Sequence, residues 1–245
     1  MVIAIATELE SVLNAFGGVD NIEKEGSYEV YVITRGRAVL YIVVSGAGEI
    51  AAAAATQMLI TRYKTDAILN FGFVGAINDC LQCQQVVLVR DMVHYDADTS
   101  AIDNVPAGRY LDFDDIFVPF DTKLLKKTLA AFPSLQTVRA ASGDTFIASG
   151  EKKQQLREMF SADICDMESA GILLTAARNN IPALSLKVVS DNADESSPIS
   201  FIEIAYNGTK ACAAILAEIV DELSNNPQKN ATSVSGGKKK NSGKA

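Results

Sequence analysis

Short apolar runs alternate with amphipathic stretches along most of the chain. Met1 to Ala6 is a β-branched apolar run, and Thr7-Glu8-Leu9-Glu10 opens a helical stretch toward Phe16, so the start reads strand, turn, helix. Tyr28 to Thr34 and Ala38 to Val44 flank Arg35-Gly36-Arg37 as the arms of a hairpin. Ser45-Gly46-Ala47-Gly48 then leads into an alanine-rich helix from Glu49 to Tyr63. Strands are expected at Ala67 to Phe71, Gln85 to Val93, Val138 to Ala141, around Ile164 and at Ala183 to Val189. The helices between and after them are Lys123 to Ala131, Lys152 to Met159, Met167 to Asn179 and Phe201 to Leu223. This alternation predicts one α/β domain over residues 1–225 with a mostly parallel, buried sheet.

Two segments stand outside the rhythm. Tyr95 to Asp121 is a long acidic connection with Pro106, Gly108 and Pro119, the kind of loop that serves as a lid or contact surface. From Asn226 to Ala245 the chain is rich in Asn, Ser, Gly and Lys and is expected to be a disordered tail.

Composition narrows the chemistry. With 48% apolar and 21% charged residues and a mean hydropathy of +0.13, the chain buries a sizeable core. Its net charge is −8; setting aside the five tail lysines leaves 17 basic against 30 acidic residues, or −13 for residues 1–225. Such a surface repels nucleic acid and anionic membranes, and no apolar run is long enough to span a bilayer. A single histidine, His94, excludes multi-histidine metal sites. Cys80-Leu-Gln-Cys83 has no second pair or histidines to complete a zinc site, so the four cysteines read as reduced thiols. No metal and no organic cofactor is expected. An N-terminus with acids inside its first ten residues is no signal peptide, which leaves the cytoplasm as the expected compartment.

In open α/β sheets ligands bind beyond the carboxyl ends of the strands. Those positions hold Glu8 and Glu10, Gly46 and Gly48, Gly72 and Gly75, Ser142-Gly-Asp-Thr-Phe-Ile147, Asp166-Met-Glu-Ser169 and Ser190-Asp-Asn-Ala-Asp194. Three carboxylates, Glu10, Glu168 and Asp191, are expected to converge on one cleft. Each also suits a simpler role: Glu10 and Glu168 as first-turn acids favoured by a helix dipole, Asp191 as a cap. Gly46-x-Gly48-x-x-Ala51 matches a dinucleotide fingerprint, but it follows a hairpin arm, and Glu49 puts negative charge where a pyrophosphate would lie.

In order and local spelling, these loops resemble the purine nucleoside phosphorylase and nucleosidase superfamily, and within it most closely the methylthioadenosine/S-adenosylhomocysteine nucleosidases. The likeness runs from Met1 to about Leu223. Ser142–Ile147, Asp166–Ser169 and Ser190–Asp194 carry it, supported by Ser45–Gly48 and Tyr95-Asp-Ala-Asp98. It implies a three-layer α/β/α sandwich around a mixed central sheet. It also implies hydrolysis of the N-glycosidic bond of adenine nucleosides such as 5′-methylthioadenosine, S-adenosylhomocysteine and 5′-deoxyadenosine. By the same likeness Asp191 is the general acid toward the purine, Glu10 the carboxylate that activates water, and Glu168 the ligand of the ribose hydroxyls. Phe146 would stack on adenine, the backbone of Ile147 would read its edge, Met167 would lie under the ribose and Phe201 would border the 5′ side. Gly75 and Ser190 belong to the same substrate-binding set. A homodimer is implied, with the partner's loop near Thr99 and Ile102 completing the site.

The sequence departs from the family pattern at Phe73, where a small or hydroxylated residue is usual, at Lys187, where arginine is common, and at Ala47 and Asn104 beside the 5′ pocket. Two rival readings remain: a phosphate-dependent phosphorylase, and a binding or storage protein without catalysis.

Overall fold

The computed structural model describes residues 1–198 and 208–225; Phe201 and the expected tail at 226–245 lie outside the described residues. The elements run β1 (Val2–Ile3), α1 (Ala6–Ala15), β2 (Asn21–Glu25), β3 (Tyr28–Arg35), β4 (Ala38–Val44), α2 (Glu49–Tyr63), β5 (Ile68–Ala76) and β6 (Val86–His94). They continue with α3 (Ser100–Asp103), β7 (Val118–Pro119), α4 (Thr122–Ala131), β8 (Gln136–Ser142), α5 (Gly150–Phe160), β9 (Ile164–Asp166), α6 (Ser169–Arg178), β10 (Ala183–Asp191) and α7 (Gly208–Asn225).

Local chemistry accounts for several boundaries. Asp121 caps α4, its Oδ1 accepting the N–H groups of Lys123 and Leu124 at 3.0 and 2.8 Å. Ser149 caps α5 through the N–H of Lys152, and α5 ends where Ser161 turns left-handed. Among the described residues, β2, α3 and β7 are elements the apolar pattern did not announce. β2 reads Asn-Ile-Glu-Lys-Glu and is an almost wholly exposed edge strand, so it has no buried face to leave a signal.

The strands form one mixed sheet. β1 pairs in parallel with β4 and β5, and the antiparallel β2–β3–β4 meander extends that edge. On the other side the sheet closes on itself. β5 pairs with β10, β10 with β6, β6 with β8, β8 with β9, and β9 returns to β5. One helical layer is built by α1, α4 and α7, and the other by α2 packed on α6, giving the expected α/β/α sandwich. The ring adds to that picture. It brings the carboxyl ends of β5, β8, β9 and β10 around a common centre, with Ser142 opposite Asp166 and Gly75 opposite both Cys165 and Asp191.

Most buried apolar residues form one continuous core. A second, smaller cluster of Ile77, Val93, Tyr95, Ala141, Ile147, Leu156, Phe160, Cys165 and Ala193 sits beneath α5. It anchors the loops after β8 and β10, the two richest in candidate functional residues.

Candidate active site

The strand ends deliver five buried carboxylates: Glu8, Glu49, Asp166, Glu168 and Asp191. Unpaired buried charges are costly, so the partners of each define what it can do.

Glu8 occupies the third position of α1. Its Oε2 accepts the N–H groups of Ala4 and Ile5, both at 3.0 Å, and its Oε1 accepts the N–H of Phe73 at 2.9 Å. Burial pushes its pKa up to about 7, against the opposing effect of the Ile5 and Phe73 N–H groups and of Lys187. Glu10 does not join it. Two residues further along a helix is a rotation of about 200°, and Glu10 lies exposed on the opposite face. The convergence of Glu10 with Glu168 and Asp191 is thus corrected: Glu8 is the carboxylate that α1 turns inward. The sequence held a signal for this, since Thr7, Glu10 and Asn14 form a polar i, i+3, i+7 stripe, whereas Glu8 borders the buried Leu9 and Val12.

Asp166, the last residue of β9, is the most heavily bound. Lys187 Nζ lies 2.8 Å from its Oδ2, and both groups are 1% exposed. Ser169 Oγ donates to Oδ2, the N–H of Ser169 to Oδ1 at 3.3 Å, and Ser142 Oγ lies 2.6 Å from Oδ1. Burial works against its charge, but Lys187 and the two serines outweigh it and hold its pKa below the usual carboxylate value. The reciprocal holds for Lys187. Burial opposes its charge, while Asp166, Glu168 and Glu8 together keep its pKa raised. Lys187 is therefore paired inside the protein.

Glu168 stands at the N-cap position of α6 without a side-chain bond to that helix, and its Oε1 instead accepts the N–H of Gly48 at 3.0 Å, tying the loop after β4 to the loop after β9. Burial raises its pKa, with Lys187 opposing and Asp166 adding to the effect. Its neighbour Met167 is half-buried.

Asp191 ends β10 opposite Gly75, just past a register shift in the β5–β10 pairing. Its Oδ1 accepts the N–H of Ala193 at 2.9 Å, and Ser190 Oγ lies 2.7 Å from Oδ2 and 3.2 Å from the carbonyl of Val74. Glycine at 75 is what lets the strands close here. A Cβ at that position would sit 3.0 Å from Cys165 Sγ and 3.1 Å from Asp191 Oδ1.

Above these groups runs the loop after β8. Ile147 is buried in the smaller cluster, while Phe146 presents a ring that is 44% exposed. Asp144 Oδ1 accepts the N–H of Glu49 at 2.6 Å, and the N–H of Asp144 donates to Asp96 at 2.9 Å. Glu8, Asp144 and Asp166, set among the strand-end positions by the sequence but given no role there, are thus joined by Glu49 and the buried Lys187.

Other candidates lie elsewhere. His94 is half-buried, with Nδ1 2.7 Å from Tyr110 Oη, and burial lowers its pKa. Arg35 is bound by Asp221 of α7 at 2.9 Å, so it is not a free hairpin tip. All four cysteines are unpaired thiols, and among the described residues no three His, Cys, Asp or Glu side chains group to hold a metal ion.

The family model described as the phosphorylase superfamily matches residues 1–221. The chain belongs to the phosphorylase superfamily. Within the superfamily it is similar to nucleosidases. The aminodeoxyfutalosine nucleosidase of Campylobacter jejuni is 29% identical over 188 residues, 75% of this chain and 81% of that protein. The 5′-methylthioadenosine/S-adenosylhomocysteine nucleosidase of Shewanella pealeana is 30% identical over 185 residues, 73% of this chain and 80% of that one. Among solved structures, the methylthioadenosine/S-adenosylhomocysteine nucleosidase of Helicobacter pylori, in complex with an aminopyrrolopyrimidine-bearing pyrrolidinol, superposes with a TM-score of 0.86 at 26% identity. That match covers 90% of this chain and 96% of the other.

Proposed function

We propose that this protein hydrolyses the N-glycosidic bond of adenine nucleosides, with 5′-methylthioadenosine, S-adenosylhomocysteine and 5′-deoxyadenosine as substrates, releasing adenine and the sugar. The observation that carries this reading is the pairing of Asp191 with Ser190. The serine hydroxyl reaches both the carboxylate and the carbonyl of Val74. When Asp191 holds a proton, Ser190 turns its own hydrogen to Val74 and accepts from the acid; when Asp191 is ionised, the serine turns back. A carboxyl group with both states accommodated suits proton delivery to a purine nitrogen.

Cleavage develops positive charge on the sugar and negative charge on the leaving base. Asp191 neutralises the base by protonating it. Glu8, rather than Glu10, orients water and accepts its proton, and a pKa of about 7 matches a base that works at neutral pH. Glu168, held by Gly48, binds the sugar hydroxyls, Met167 lies beneath the sugar, and Phe146 stacks on the adenine whose edge the Ile147 backbone reads. Phe201 belongs to the 5′ side in this reading. The chemistry uses no metal and no organic cofactor. We further propose a homodimer, supported by exposed apolar side chains at Ile50, Ile102 and Leu111, 83%, 85% and 70% accessible. The cytoplasm suits four unpaired thiols. Among the described residues no helix is long and apolar enough to cross a membrane.

A phosphorylase would need cationic groups for a phosphate dianion. Thr7–Glu10, Ser45–Glu49 and Gly72–Gly75 contain no basic residue, and Lys187 is neutralised by Asp166. The test measures adenine and sugar products with and without added phosphate. Release in phosphate-free buffer, with a free sugar as product, is expected. Strict phosphate dependence with a sugar 1-phosphate overturns the hydrolase, and no release in either buffer favours a binding protein.

A further inference from the structure

One serine sits between two carboxylates. Ser142 Oγ is 2.6 Å from Asp166 Oδ1 and 2.6 Å from Glu49 Oε1, and it accepts the N–H of Ala170 at 3.0 Å. A hydroxyl has one hydrogen to donate. If both carboxylates were ionised, one contact would set two bare acceptor oxygens together at hydrogen-bond distance, deep inside the protein. A second proton is required, and the surroundings decide its place. Asp166 faces the ammonium of Lys187 and two serine donors, which hold it ionised. Glu49 has no cation among its hydrogen-bond partners in the described residues. Its Oε2 accepts only the N–H of Gly171, leaving Oε1 to carry hydrogen.

We propose that Glu49 is a positioning residue that works as a neutral acid, donating its proton to Ser142 Oγ and so locking the start of α2 to the start of α6, where Glu168 is held. The hydrogen-bond balance then closes at every atom. Glu49 donates to Ser142, Ser142 donates to Asp166, and Asp166 receives the charge of Lys187. Ser142 accepts from Glu49 and Ala170, and the second oxygen of Glu49 accepts from Gly171. The close fit of the two helices depends on this contact and on Gly171, where a Cβ would lie only 2.3 Å from the carbonyl oxygen of Glu49. Gly48, adjacent to Glu49 in the chain, then presents its N–H to Glu168.

The charged and titratable groups facing Glu49 come from each neighbouring element: Asp166 of β9, Glu168 before α6, Asp144 after β8, Lys187 of β10 behind Asp166, and Tyr95 and Tyr110 of the acidic connection. Burial first, then Asp166 and Glu168, push the pKa of Glu49 up to about 8. Ionisation above that value places a new charge beside Asp166 and Glu168 and removes the donor to Ser142.

The inference rests on the nucleosidase reading only for the role of Glu168, and the test separates the two. Infrared difference spectra of the full-length protein at neutral pH, wild type minus Glu49→Gln, should show the C=O stretch of a protonated carboxyl; its absence overturns the proposal. Because an amide both donates and accepts, Glu49→Gln should keep KM within about twofold and lack the alkaline rise of KM expected of wild type, while Glu49→Ala raises KM about tenfold. Glu49→Gln behaving like Glu49→Ala overturns it. Should Glu49→Gln fail to fold, Ser142→Ala must shift the carboxyl stretch, since it removes the acceptor; an unshifted band is again fatal. A wild type that cleaves no nucleoside sinks the nucleosidase reading and leaves the infrared result to decide the proton.

Discussion

Asp166 and Asp191 each end a strand of the closed ring, each is buried, and each is touched by a neighbouring serine, yet they are built for opposite tasks. Asp166 is held by a lysine and two hydroxyls. Asp191 has one hydroxyl and one backbone N–H, and no cation among its hydrogen-bond partners in the described residues. A fixed counter-charge removes an acid from proton exchange, because losing the ionic form would strand the lysine. In the proposed reading Asp191 stays available, because its hydroxyl partner can reverse its hydrogen and its backbone N–H partner carries no charge to be stranded. The contrast lies in the partners, since both carboxylates are buried and, among the described residues, only Asp166 of the two is bound by a cation.

The strongest way to break this contrast is to neutralise each aspartate in turn. Asp191→Asn should keep the fold and adenine binding while turnover falls about 10²-fold or more, because an amide has no proton for the leaving base. Asp166→Asn should instead cost about 3–5 kcal/mol of stability by leaving Lys187 buried without its carboxylate. Denaturant midpoints and single-turnover adenine release, measured on both variants, distinguish the two outcomes. Equal effects on stability would erase the division of labour.

The next test concerns the base on α1. Glu8→Gln should lower turnover about 10²-fold. It should also cost about 1–3 kcal/mol, since three backbone N–H groups point at its oxygens and an amide nitrogen opposes at least one of them. Glu10→Gln, on the exposed face, should match wild type in both respects. If Glu10→Gln is the inactive variant and Glu8→Gln the active one, the assignment made from the helix geometry is wrong.

How far the sequence foretold this arrangement follows from what each feature depends on. Helix α2 was legible from Glu49 to Tyr63 because a glycine turn, an acid and an alanine-rich run are local signals. The order of the strand-end loops was legible for the same reason. The closed ring was not: β10 meets β5, and β9 meets β5, across more than eighty residues of chain, and apolar runs do not state their partners. Glu8 was missed because both glutamates of Glu8-Leu9-Glu10 suit a first turn, and only the phase of the polar stripe separates them. Lys187 was noticed as a departure, but its neutralisation by Asp166 depends on β9 and β10 lying in the same ring.

A smaller effect, with opposite sign at the two ends of the site, should appear in stability against pH. Glu8 binds its proton up to about 7 in the folded protein and to 4.5 in the ordinary state, so between those values the folded chain holds more protons. Its contribution is full below 4.5 and fades as pH rises through about 7; Glu49 extends the fall to about 8. Asp166, whose acidity is strengthened, contributes above its ordinary 3.8 and loses that contribution as pH falls through its lower folded value. Melting temperatures across this range should decline toward the alkaline side, and Glu49→Gln should flatten the upper part of the decline. A wild-type profile that rises steadily from pH 4.5 to 8 would contradict the protonation of both glutamates.

The smallest expected effect is that of removing residues 226–245, and it tests whether the acidic body supplies any of its own site's charge balance from outside. The segment carries Lys229, Lys238, Lys239, Lys240 and Lys244 and no acid, while residues 1–225 have a net charge of −13. Long-range attraction between the two is therefore present, but surface charges are screened over about 8–10 Å at physiological ionic strength. The cations that matter to Asp166, Glu168 and Glu8 must be buried with them, as Lys187 is. The segment has Val234 as its largest apolar side chain, so it has little surface to bury in a stable contact. Deleting it should leave kcat, KM and melting temperature unchanged at physiological salt, with at most a slight shift at low salt. A large loss of activity that salt abolishes in the full chain would show the lysines acting on the site, and the self-contained charge balance argued for Asp166 and Lys187 would have to be extended to include them.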